Sequence, residues 1–126
     1  MSESIKGFLR KAALDMRGAR HMVADDPEAC ADKICWDCQQ AVEKWLKAAL
    51  MSRDQNYTKT HDLLSLLAAL SVIDPAWAQF RSDCAMLTPH LSLRYIGEAD
   101  EDSAIDALRA AEAIGEFTAT WIGPES

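Results

Sequence analysis

No apolar run in the 126-residue sequence approaches the roughly 20 residues that a membrane span requires. The opening stretch, MSESIKGFLRKAALDMRGAR, interleaves charges with apolar positions and offers no signal-peptide core. A soluble, cytoplasmic protein is therefore expected. Glycine and proline are scarce, at 5 and 4 residues, so long stretches are free of helix breakers. Convincing period-two alternation, which would mark half-buried strands, is missing, as are internal repeats and low-complexity linkers. Histidine occurs only at 21, 61 and 90, which narrows the positions where imidazole chemistry can occur.

The length fits a single domain over residues 1–126, large enough to bury a real core. Net charge is −7 and unevenly spread. Residues 1–60 carry 10 basic and 9 acidic groups, whereas residues 61–126 carry 3 and 11. So acidic a second half argues against broad nucleic-acid binding through phosphates, while leaving room for a small local basic site.

Four cysteines raise the question of a metal or redox centre. Cys35 and Cys38 form a C-x-x-C pair, with Cys30 and Cys84 apart from it. Zinc ribbons place such pairs in tight turns and commonly use two of them. Here the pair lies inside a strongly helical stretch with both thiols on its apolar side, so packing in the core is the expectation. A thioredoxin-like motif would want a strand before it, and none is visible. No metal and no cofactor is expected.

The stretch from Ile34 to Met51 organises the chain. It has no Gly or Pro and is rich in Ala, Leu, Glu, Gln and Lys. On a helical wheel, Ile34, Cys35, Cys38, Ala41, Val42, Trp45, Leu46, Ala49 and Leu50 share one half. Asp37, Gln40, Glu43, Lys44 and Lys47 fall on the other, where a solvated face is expected. The core should be centred on Val42 and Trp45, so that Trp45→Ala would cost roughly 3–5 kcal/mol. Trp36 breaks the pattern by lying on the polar side, in one line with Gln40, Glu43 and Lys47. An exposed aromatic of that size suits an anchor for a second subunit, or it packs on the first helix from outside.

The remaining elements follow from periodicity and caps. Residues 4–24 show apolar spacing of three and four, with Ser2 or Ser4 as cap. Asp26-Pro27 opens a second helix predicted to reach Ser52, about 39 Å long. Thr60 is predicted to cap a third helix, His61–Leu70. Asp74-Pro75 starts a fourth, which stops near Leu87 before Pro89. The last runs from about Glu101 to Trp121, capped by Asp100 or Asp102 and stopped by Gly123-Pro124. The predicted fold is all-α: an antiparallel up-and-down four-helix bundle with an additional short helix.

Three blocks carry a family resemblance. Cys35 to Ala48 reads C-x-x-C-Q-Q-A-x-E-K-x-L-K-A, Thr60 to Leu64 reads T-H-D-L-L, and Arg94-Tyr95 precedes the last helix. In that order they resemble HEPN-domain proteins, small helical proteins named for higher eukaryotes and prokaryotes nucleotide-binding. The block Gln39-Gln40-Ala41 with Glu43-Lys44 is the most specific part, and Ile96 stands where members often carry Pro. The resemblance implies a homodimeric helical bundle, often paired with a minimal nucleotidyltransferase in a toxin–antitoxin-like module. Catalytic members are metal-independent ribonucleases with an Arg-x4–6-His motif, in which His moves a proton and Arg stabilises phosphate charge.

That motif is absent. Arg17 and His21 are separated by three residues, Arg53 and His61 by seven, Arg81 and His90 by eight, and no His follows Arg94. A ribonuclease would need a different pairing, Arg94 with His90 or with His61. An interaction or nucleotide-binding module that catalyses nothing fits the absence better. Candidate ligand contacts are Arg94, Tyr95, His61, Lys44 and Lys47, with His90 a further catalytic candidate. Trp36 and Gln40 are candidates for an interface. Each has a plainer alternative: His61 bonds at a helix start, His90 is a loop residue, Arg94 pairs with a carboxylate such as Glu43, and the lysines are solvated.

Overall fold

The structure is a computed structural model that describes residues 1–57, 59–88 and 99–124. Helix α1 spans Glu3–Asp25, α2 Ala31–Met51, α3 Leu63–Ile73, α4 Arg81–Leu87 and α5 Glu101–Ile122. A 3₁₀ segment, Pro75–Phe80, leads directly into α4. Among the described residues there is no strand, and no helix is long and apolar enough to cross a membrane.

Helix α2 is the central rod. Its predicted apolar face is buried as expected at Ile34, Cys35, Cys38, Ala41, Val42, Leu46, Ala49 and Leu50. Helices α1 and α2 form an antiparallel hairpin joined by a tight turn, with Lys44 ion-paired to Asp15 across it. Helix α3 returns along α2. Helix α5 then runs in the same direction as α2, since Trp45 meets Gly115 and the Ala99 amide donates to Asp32 Oδ1 at 3.1 Å. This is the up-and-down arrangement, with the 3₁₀ segment and α4 as the short addition.

Caps explain most boundaries and correct several predicted ones. Ser2 accepts from the Ile5 amide and starts α1. Asp26 does accept from the Ala29 amide, yet α2 begins only at Ala31. Residues 27–30 form a tight turn in which the Ala31 amide reaches back three residues to Glu28. The cap of α3 is Asp62 rather than Thr60: its carboxylate accepts from the Leu64 amide and the Ser65 hydroxyl. Thr60 instead accepts from the Asp62 amide, so His61 stands before α3 and the helix runs on to Ile73. Asp74 caps the 3₁₀ segment and Asp100 caps α5. Gly123, at φ +89°, ends α5 in the left-handed region that glycine adopts without strain.

Two expectations about α2 fail. Asp37, Glu43 and Lys47 are buried, not solvated, and Asp37 lies against Gly18 of α1. Trp45 is only partly buried, at the edge of the core beside Gly115, where α5 passes too close to admit a side chain. The deepest aromatic is Trp77. It is fully buried and lies edge-on to Phe117 at 4.7 Å and to Trp121 at 5.2 Å between ring centroids.

Candidate functional site

The strongest polar constellation lies where α2 ends and α3 begins. Glu43 and Lys47 are one turn apart on α2, so their side chains meet, and Lys47 Nζ donates to Glu43 Oε2 at 3.0 Å. Their side chains are only 8% and 4% exposed. Burial of this degree is costly for charges unless they are paired and hydrogen-bonded, which ties the two groups together.

His61 completes the cluster from the α2–α3 connection. Its Nδ1 lies 2.9 Å from the same Glu43 oxygen. A carboxylate only accepts, so Nδ1 carries the proton and Nε2 is the nitrogen left for a ligand. The imidazole is 77% exposed while its anchor is buried. One face of the ring system is thus held by the core and the other offered to solvent. An oriented imidazole of this kind can accept a hydrogen bond or a proton, or, once protonated, contact a phosphate.

A cleft of about 260 Å³ lies in the same connection, lined by Asn56, Tyr57, Lys59 and Thr60. Tyr57 is 38% exposed and supplies an aromatic face, and Lys59 supplies a cation. Sequence reasoning found His61 and Lys47 but missed Glu43 as the residue that joins them. It also missed the cleft residues. The available signal was the position of Glu43, one turn before Lys47 and inside the most specific block of α2.

The other candidates disperse. Lys44 points to Asp15 of α1 and is not part of the cluster. Gln40 Nε2 donates to Gln39 Oε1 at 2.7 Å. Trp36 lies nearer the start of α2 and is 46% exposed, so it is not buried within the chain. His90, Arg94 and Tyr95 lie outside the described residues, as does any pairing of Arg94 with Glu43.

The C-x-x-C pair is packing. Cys35, Cys38 and Cys84 are buried, and all four cysteines are unbridged. Burial pushes the Cys38 and Cys84 thiols up to about 12, with neighbouring Cys35 and Asp37 adding to the effect at Cys38. Thiols so disfavoured as thiolates are poor nucleophiles and poor metal ligands.

A sequence model of the HEPN domain matches residues 5–121. The fold is similar to the crystal structure of an archaeal HEPN homologue, with a TM-score of 0.75 at 19% identity. That likeness covers 98% of this chain and 100% of the archaeal one. No curated protein matches the sequence.

Proposed function

The chain belongs to the HEPN-domain family, and on that premise we propose that it is a homodimeric interaction module that binds a nucleotide and works with a minimal nucleotidyltransferase protein. The observation that carries nucleotide binding is the exposed His61 imidazole, anchored to buried Glu43 beside a cleft with Tyr57 and Lys59 on its wall. Tyr57 would stack on a base, while Lys59 and His61 would meet phosphate oxygens. Lys47 acts indirectly, by holding Glu43. Trp36 supports the protein-facing half of this reading as a large aromatic left open to solvent.

Calorimetric titration with nucleoside mono-, di- and triphosphates tests the binding. The expected result is saturable heat that falls at least about tenfold in affinity in Tyr57→Ala and His61→Ala. Flat titrations with every nucleotide would remove the reading. For the pairing, co-purification with a nucleotidyltransferase encoded beside this chain should be lost in Trp36→Ala.

The Glu43–His61 contact also favours a second reading, a ribonuclease with a degenerate site. A carboxylate that orients an imidazole leaves Nε2 ready to take a proton from a ribose hydroxyl. RNA cleavage by the purified protein, lost in both His61→Ala and Arg94→Ala, would favour catalysis over simple binding.

A further inference from the structure

Helix α1 turns Ile5, Ala12, Met16 and Ala19 into the core. The side opposite them carries Arg10, Leu14, Arg17 and His21 in one line, at steps of three and four residues. The line is about 16 Å long. All four side chains are exposed, and Leu14 is 58% so, an unusual position for a leucine amid cations. Lys11 adds a further exposed cation at the margin.

These cations are unanswered. Among the described residues, the cations Arg10, Lys11 and Arg17 have no hydrogen-bond or ion-pair partner, and neither has the His21 imidazole. Asp15, the acid midway along α1, is turned aside to Lys44. Arg20, next to the line, is paired with Glu112 of α5 at 3.2 Å. A shallow hollow of about 270 Å³ borders the line, walled by Arg17, Arg20, His21 and Ala24. Unpaired arginines thus flank an exposed leucine in a chain of net charge −7, with exposed Glu3 and Asp25 on the same side only at the two ends of α1.

We propose that this face of α1 docks an acidic amphipathic segment of a partner protein. The segment would set an apolar side chain over Leu14 and place carboxylates one turn to either side, against Arg10 and against Arg17 with His21. Leu14 is what favours a protein over a nucleic acid, since a phosphodiester backbone has nothing apolar to lay on it. The shortness of the patch agrees. Exposed Glu101, Asp102, Asp106 and Glu116 on α5 would repel a long polyanion that ran past one helix. The site is separate from the His61 cluster and does not rest on nucleotide binding.

Fluorescence anisotropy on the full chain tests the proposal with three labelled probes. The first is a helical peptide of about 16 residues with a central Leu and Glu at three- and four-residue spacing around it. The second is the same composition scrambled, and the third is an oligouridine of about 15 nucleotides. The patterned peptide should bind, and its affinity should fall at least about tenfold in Arg10→Glu/Arg17→Glu and about fivefold in Leu14→Ser. Raising salt from about 0.05 M to about 0.5 M should weaken it. Because these positions are exposed, circular dichroism should show each variant as helical as the parent. No binding of the patterned peptide, equal binding of the scrambled one, or unchanged affinity in the variants overturns the proposal. Oligouridine binding that depends on Arg10 and Arg17 but not on Leu14 overturns it in favour of a nucleic-acid surface.

Discussion

The two ends of α3 are fastened by opposite means. At its start, the link to α2 is polar: the buried Glu43 of α2 accepts from its neighbour Lys47 and from the exposed His61 imidazole that precedes α3. At its end, the joint to α5 is aromatic inside, where the Trp77 indole N–H is buried without a partner, and hydrogen-bonded at the rim. There Trp77 is packed among Phe80, Phe117 and Trp121, while Asp74 accepts from Trp121 Nε1 at 2.9 Å. Arg53 covers the outer face of Trp121, its guanidinium carbon 3.9 Å from the ring centroid. The aromatic joint needs no buried charge to hold, and burial of its rings contributes directly to stability. The polar joint costs desolvation and returns little net stability over an apolar equivalent. An expensive joint that also presents an oriented, exposed imidazole is the place to look for function.

Trp77 carries the largest share of the aromatic joint. Trp77→Ala should cost about 3–5 kcal/mol, read from urea or thermal unfolding, and leave the ligand titration of the folded fraction unchanged. A variant as stable as the parent would show that the aromatic joint is not the structural one. Next in size, Glu43→Ala should lose about 2–4 kcal/mol, because it removes a carboxylate from a lysine that stays buried. Unlike Trp77→Ala, it should also weaken nucleotide binding by freeing His61, by no more than His61→Ala does. If stability falls but binding persists, the imidazole needs no anchor.

Gly115→Ala comes third. An added Cβ would lie 2.5 Å from the Trp45 ring, so Trp45 must move, at about 1–3 kcal/mol, although Ala is the better helix former. Pairing it with Trp45→Ala should remove most of that cost. Additive losses in the double variant would mean the contact is not the cause.

Asp74 gives a smaller effect with a pH signature. Its hydrogen bonds from the Ala76 amide and the Trp121 indole hold its carboxyl below the ordinary value of 3.8. A folded value lower than the unfolded one contributes stability above pH 3.8 that is lost as pH falls through the folded value. The stability gap between parent and Asp74→Asn should therefore be constant near neutrality and close in acid. A gap that widened in acid would reverse the assignment. The mildest change concerns thiol chemistry. Native protein should react with a thiol reagent at Cys30, which is partly exposed, while Cys35, Cys38 and Cys84 react only on unfolding.

Helix count, helix order and the buried line of α2 were legible because spacing and caps are local signals. Asp100 marked α5 correctly, while Asp74-Pro75 marked the start of a 3₁₀ segment, with the α-helix beginning only at Arg81. Two failures had one cause. Glu43 and Lys47 look solvated on a wheel of α2 alone, and only the tertiary structure shows them buried. Trp45 looks central on the same wheel, and only the tertiary structure places it at the edge of the core, beside Gly115 of α5. For the site, His61 could be singled out by its block, but its partner is 18 residues away in sequence and needed the fold.

The sequence by itself determined that this is an all-helical HEPN-family chain, since helical periodicity, capping residues and the Gln39-Gln40-Ala41 block are written along the chain. It also excluded the Arg-x4–6-His arrangement by simple spacing. Tertiary structure alone decided which charges are buried, that His61 is held through Glu43 and Lys47, and that Arg10, Lys11 and Arg17 have no partner among the described residues. Burial and pairing depend on what packs against each face of a helix, and that is a property of neighbours in space.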